Sequence, residues 1–220
     1  MGYLLSPSSL NLFLECPRCF WLYVKKRISR PETITSTLPR GMDGLIKKHF
    51  DKYRKMGELP PELEGKVRTK LVPQEIIDKW RNWRTGLRYE EADVSLVGAL
   101  DDCFVEEGIY TPVDYKTRGY ELKDATVGYY QNQLNIYTFL LKNNGLNASS
   151  FAYLVFYVLQ SLSDNGLARF DIQLLRVDTD INKAYKIFKD ATSLLKQDSS
   201  PQKSSRCSFC SWVVTNINGR

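Results

Sequence analysis

Val97-Gly98-Ala99-Leu100-Asp101, followed after a short interval by Pro112-Val113-Asp114-Tyr115-Lys116-Thr117, is the stretch that decides the fold of this 220-residue chain. Residues 94–105 (VSLVGALDDCFV) and 109–117 (IYTPVDYKT) are rich in β-branched and aromatic side chains, and Glu106-Glu107-Gly108 between them reads as a tight connection. The pattern predicts two adjacent antiparallel strands. Side chains alternate across a strand, so Asp114 and Lys116 share one face while Val113 and Tyr115 point to the other. Asp101 needs only to lie near that face to bring two carboxylates and a lysine together. Carboxylate oxygens bind hard divalent cations, which polarise a phosphate and activate water near neutral pH. A lysine held beside them can orient the water or stabilise charge on the phosphorus. The set suits a metal-dependent phosphodiesterase. A DYK tripeptide alone would read as structural, and its pairing with Gly98-x-x-Asp101 is what points to chemistry.

Working outward, Ser6-Pro7 opens a helix over 8–24 that Pro17 can interrupt, and 30–40 reads as an extended linker. A helix over 41–56, a turn at Pro60-Pro61, a short strand near 67–72 and a helical or extended segment over 74–90 lead into the two strands. A helix over 124–142 follows, stopped by Asn143-Asn144-Gly145. The apolar run 151–159 (FAYLVFYVL) is too short to cross a bilayer and reads as a central strand; 169–177 alternates, and 180–196 is amphipathic. The expected fold is α/β, a central mixed sheet flanked by helices in one domain spanning 1–220. No transmembrane segment, targeting peptide or repeat is visible, and a cytoplasmic location is expected.

Two C-x-x-C pairs, Cys16/Cys19 and Cys207/Cys210, stand near opposite ends of the chain, leaving Cys103 alone in an apolar strand. Four thiolates in such pairs form a metal set, for zinc or an iron–sulfur cluster. Either would clasp segment 1–30 to segment 200–220, with the binding energy acting as folding energy. The odd count and missing secretory signal favour reduced thiols over disulfides, with Cys103 a buried small hydrophobe. The net charge of +6 suits a polyanionic partner. Arg81, Arg84 and Arg88 interleave with Trp80, Trp83 and Tyr89, either as phosphate and base contacts or as a core helix with a solvated face.

These residues resemble the PD-(D/E)XK nuclease superfamily, and within it the RecB-like branch that includes the CRISPR-associated Cas-four exonucleases. Asp101 matches the aspartate of the second motif, and Asp114 with Lys116 matches the D-x-K of the third. Gln133 and Tyr137 match the branch's Q-x-x-x-Y motif on one helix face. The resemblance implies a restriction-endonuclease-like core, DNA as substrate, single-stranded or end-containing, and Mg²⁺ or Mn²⁺ on Asp101 and Asp114. Its first motif, a histidine four residues after a glycine, is irregular: His49 comes five after Gly44, and Lys48 stands at four. His49 is the expected third metal ligand. Relatives with a [4Fe–4S] cluster have one N-terminal cysteine and three C-terminal ones. Cys16, Cys207 and Cys210 fit that pattern, Asn216 stands at the last position, and Cys19 can supply the fourth ligand. A structural Zn²⁺ is the alternative. A homo-oligomer or other DNA-processing proteins are the expected partners, and CRISPR adaptation, repair and phage replication stay open as settings. The irregular first motif leaves a second reading: a catalytically weak or inactive DNA-binding or assembly subunit.

Overall fold

A computed structural model describes residues 2–31 and 36–211. The chain opens with β1 (Tyr3–Leu5) and α1 (Pro7–Glu15), whose start is held by a reciprocal Ser6/Ser9 capping box and by a proline where no N–H is needed. Pro17 splits the helix expected over 8–24. Cys16 turns extended, and α2 (Pro17–Lys26) begins anew with Pro17 at its first position. After the expected linker, which lies partly outside the described residues, α3 (Leu38–Met56) starts three residues before the expected 41 because Pro39 is tolerated in a first helical turn.

The segment over 74–90 is both of the alternatives: α4 (Gln74–Arg81) and then β3 (Leu87–Glu91). The single strand expected over 94–105 is two. β4 (Val94–Gly98) joins a three-stranded sheet in the order β1-β4-β3, and β5 (Asp102–Glu106) joins a second sheet. Glycine is required at Gly98, where an added Cβ would stand 2.5 Å from Leu140 Cδ1 and against the Tyr137 ring. The chain leaves β4 after Gly98, crosses between sheets at 99–101 and bends at Asp101.

The second sheet runs β2 (Lys70–Leu71), β5, β6 (Ile109–Arg118), β8 (Phe151–Leu162) and β9 (Ala168–Asp178), with β7 (Asn147–Ala148) also pairing β6. It is mixed: β5/β6 and β8/β9 are antiparallel, β6/β8 parallel. The β5/β6 hairpin turns on Glu107 and Gly108, both at positive φ as a tight two-residue turn requires. A 3-10 turn at Asp124–Tyr129 and α5 (Gln131–Asn143) cross from β6 to β8. β8 is apolar from Phe151 to Leu159, and over 154–158 both its faces are covered. Val155 and Tyr157 pack with Ile46 and Phe50 of α3, while Leu154, Phe156 and Val158 pack with Leu134 of α5. α6 (Ile181–Leu195) lies with α1, α2 and α5 in the largest apolar cluster, which also takes in Cys103. The fold is thus the expected mixed sheet flanked by helices.

Beneath the sheet crossing sits a fully buried charge. Asp102 Oδ2 takes Arg54 Nη2 at 2.5 Å, the Tyr115 hydroxyl at 2.6 Å and Arg81 Nη2 at 3.3 Å, while Oδ1 accepts the Cys103 N–H at 2.8 Å. Arg54, itself 8% exposed, also donates to the Val72 carbonyl. This network ties α3, α4 and β5 together. Arg54→Met strands the carboxylate with one weaker guanidinium, and a loss of about 3 kcal/mol is expected in urea unfolding. Adding Asp102→Asn to that variant will restore part of the loss, and strict additivity of the two changes would show that they do not act as a pair.

Candidate active site and cysteine cluster

The crossing segment delivers Asp101, and three bonds fix the segment itself. The Ala99 carbonyl accepts from Tyr137 Oη at 2.8 Å, the Leu100 N–H donates to the Trp80 carbonyl at 3.0 Å, and the Asp101 carbonyl accepts from Arg81 Nε at 2.8 Å. Asp101 Oδ2 accepts the Tyr115 N–H at 3.1 Å, which sets its carboxylate against β6. Alternation on β6 does the rest: Val113 and Tyr115 enter the core beside Phe50, and Asp114 and Lys116 face α5 together. Lys116 Nζ lies 2.5 Å from Asp114 Oδ2. Gln133, on the facing turn of α5, donates through Nε2 to Asp114 Oδ1 at 3.0 Å and to Tyr137 Oη at 2.7 Å. Its Oε1 faces Lys116 Nζ at 3.5 Å. Asp101, Asp114, Lys116, Gln133 and Tyr137 therefore form one bonded constellation.

Asp114 is fully buried. Burial pushes its carboxyl up to about 7; Lys116 opposes the rise and neighbouring Asp101 adds to it. Its Oδ2 accepts no aligned hydrogen bond and lies against the Lys116 ammonium. A buried carboxylate oxygen without a hydrogen bond, next to a second carboxylate, fits a divalent cation. Asp101 and Asp114 could hold one, with backbone carbonyls and water completing an oxygen shell.

His49 is placed elsewhere. Its Nε2 meets Glu62 Oε1 at 2.9 Å, and Tyr157 donates to the same oxygen at 2.7 Å, on the far side of α3. The α3 residue that does reach Asp101 is Lys47, whose Nζ lies 2.8 Å from Asp101 Oδ1 and 2.9 Å from Asp43 Oδ2. Although burial opposes it, the charges of Asp101 and Asp43 raise the Lys47 pKa. Sequence reasoning missed Lys47 and Asp43. The available signal was their i,i+4 spacing in phase with Phe50 and Arg54 on one helix face.

The basic and aromatic band over 80–89 divides. Trp80 packs on Tyr110, Tyr89 packs on Phe139 and Phe188, and Arg81 is held by Asp51 and Asp102. Trp83 stays 42% exposed, with the Arg84 guanidinium 4.4 Å from its ring centre.

At the other end of α1, the four terminal cysteines meet. Sγ atoms lie 3.9 Å apart for Cys16/Cys210, 3.7 Å for Cys19/Cys207 and 3.5 Å for Cys19/Cys210. Among the described residues this is the group of three or more ligands close enough to surround one ion. Arg30 Nη2 donates to Cys207 Sγ at 3.3 Å, and the Cys210 N–H points at the same sulfur at 3.5 Å. Burial opposes ionisation of Cys16, yet bonds from the Ser204 and Cys19 backbone bring its thiol down to about 7. Asn216 lies outside the described residues. Among the described residues no helix is long and apolar enough to cross a membrane.

Comparison with solved structures finds the fold in a protein titled "Crystal structure of SSO0001", at 14% identity and a TM-score of 0.52, covering 96% of this chain and 84% of that one. No curated protein matches the chain. A family profile matches residues 4–214, nearly the whole length, and spans the sheet crossing, the D-x-K strand, the α5 glutamine and both cysteine pairs. The chain belongs to the PD-(D/E)XK nuclease superfamily.

Proposed function

We propose that this protein is a DNA nuclease of the RecB-like branch, resembling the Cas-four exonucleases, which hydrolyses phosphodiester bonds in single-stranded or end-containing DNA with Mg²⁺ or Mn²⁺. The observation that carries this reading is the pairing of the buried Asp114 carboxylate with the partly exposed Asp101 carboxylate beside Lys116, with Gln133 bonded to Asp114. A divalent ion bound there would polarise the phosphate and lower the pKa of water. Lys116 presents a fixed cation at the reacting phosphate, where it can orient water or stabilise developing charge. Gln133 holds Asp114 in one rotamer, and Tyr137, anchored on the Ala99 carbonyl, holds Gln133. Lys47 pairs with both Asp101 and Asp43, and Lys116 pairs with Asp114.

The resemblance implies a [4Fe–4S] cluster at the cysteines, but the sulfur spacing supports a single ion. A tetrahedron with metal–sulfur bonds of ~2.3 Å has edges of about 3.8 Å. Thiolates that each bind a different iron of one cluster must stand farther apart than here, where all four sulfurs lie within 4.8 Å of one another. We assign the site to structural Zn²⁺.

The second reading, a DNA-binding subunit with little catalysis, draws on His49 facing Glu62 instead of the aspartates. Cleavage of end-labelled single- and double-stranded DNA with Mn²⁺ decides between them. Wild type should cleave, and Lys116→Ala should be slower by about 10²–10³-fold. Salt-sensitive DNA binding without cleavage by wild type would select the subunit reading.

A further inference from the structure

A cleft of about 340 Å³ opens beside the aspartate centre, lined by Ser8, Tyr23, Trp83, Ala99, Gln133 and Tyr137 among others. It is continuous with that centre through one side chain. Gln133 Nε2 donates to Asp114 on one side and to Tyr137 on the other, and the Ala99 carbonyl bonded to Tyr137 belongs to the cleft wall. Two of its aromatics come from unrelated elements, Tyr23 from α2 and Trp83 from the loop after α4, and both remain exposed, at 45% and 42%. Neither is needed to close the core, whose aromatic contacts in this region are made by Trp80 and Phe20. The Arg84 guanidinium against the Trp83 ring adds positive charge at the mouth. The first turn of α1 borders the cleft with Ser8 exposed, and the positive end of that helix favours an anion there.

We propose that this cleft binds one unpaired nucleotide of a DNA strand, next to the Asp101–Asp114 centre. Its base rests on Trp83 and Tyr23, and its phosphate faces Arg84 and the first turn of α1. The inference rests on the nuclease reading and gives it a physical basis for strand preference. Aromatic platforms stack bases of any sequence when the bases are unpaired. Bases in a duplex are already stacked and must be flipped out to enter such a cleft. The volume lies near the lower limit of small-ligand clefts, roughly 300 Å³, which suits one nucleotide and excludes a helix of two strands.

Binding measured without added Mg²⁺ or Mn²⁺ separates this from catalysis. Fluorescein-labelled oligothymidylate and a blunt hairpin duplex would be titrated by anisotropy into wild type, Trp83→Ala, Trp83→Phe and Tyr23→Ala. Expected is a loss of about 10-fold in single-strand affinity for each alanine variant, near wild-type affinity for Trp83→Phe, and unchanged duplex affinity. Unchanged thermal midpoints would confirm intact folding, since both side chains are exposed. Single-strand affinity untouched in both alanine variants, or an equal fall for strand and duplex, overturns the cleft assignment. Equal affinity for oligouridylate overturns its assignment to DNA. If wild type cleaves DNA while the variants bind normally, the cleft fails and the nuclease reading stands. Single-strand binding that depends on Trp83 in a wild type that never cleaves upholds the cleft and sinks the nuclease reading.

Discussion

Asp114→Asn will make the metal-free protein more stable above pH 7 while removing its divalent-metal binding. Burial raises this carboxyl from 3.8 to about 7, so the folded state holds a proton that the unfolded state has already released. The folded state thus binds more protons between those values, and stability falls as pH rises. The contribution is fully present below about pH 4 and is lost as pH passes 7, for a total on the order of 4 kcal/mol. Asparagine keeps the size and the Gln133 contact but carries no charge, so the variant escapes the alkaline loss. For a chain of this length each kcal/mol moves the melting temperature by about 2–4 °C. At pH 8 without added metal a rise of several degrees over wild type is expected, shrinking by more than half at pH 5 and toward zero below pH 4. Added Mn²⁺ will reverse the order, stabilising wild type by mass action and leaving Asp114→Asn unmoved. Equal melting temperatures at both pH values, with Mn²⁺ shifting both proteins alike, would show that Asp114 neither stores this strain nor binds the ion.

Loss of the zinc proposed at the cysteines will have the larger effect on folding. The clasp joins residues 194 apart in sequence for Cys16 and Cys210, and closing so long a loop is entropically unfavourable without a fastener. Structural zinc in small domains contributes apparent binding energies of about 10–16 kcal/mol at neutral pH. Here the ion supplements an apolar core, so a loss of about 5 kcal/mol is expected for Cys207→Ser, a fall of roughly 10–20 °C in melting temperature. Chelation of wild type should approach the same endpoint. Metal analysis should give one zinc per chain and a colourless protein. Brown protein with iron and sulfide in cluster amounts would sink the zinc assignment, and full stability in Cys207→Ser would sink the clasp.

The helical phase of α3 explains the misplaced histidine. At 100° per residue, His49 lies roughly 200° around the helix from Lys47. Asp43, Lys47, Phe50 and Arg54 instead fall within a sector of about 60°. Phe50 in the core, Arg54 on Asp102 and Lys47 on Asp101 all follow from that one orientation. Spacing from Gly44 alone, without the helix phase relative to the sheet, could not show which residue faces the aspartates.

By itself the sequence determined what local periodicity and turn chemistry can encode. The alternation of β6 put Asp114 and Lys116 on one face, Glu107-Gly108 closed the hairpin, and the four-residue spacing of Gln133 and Tyr137 put both on one side of α5. Tertiary structure decided the rest. Residues 94–105 read as one strand because both halves are apolar and extended, and only the tertiary bonds of Ala99, Leu100 and Asp101 to Tyr137, Trp80 and Arg81 hold the crossing from one sheet to the other. That crossing brings Asp101 to Asp114, and the docking of α3 chooses Lys47 over His49. Such contacts join residues distant in sequence, so the distances and burial that define them arise only when the core closes.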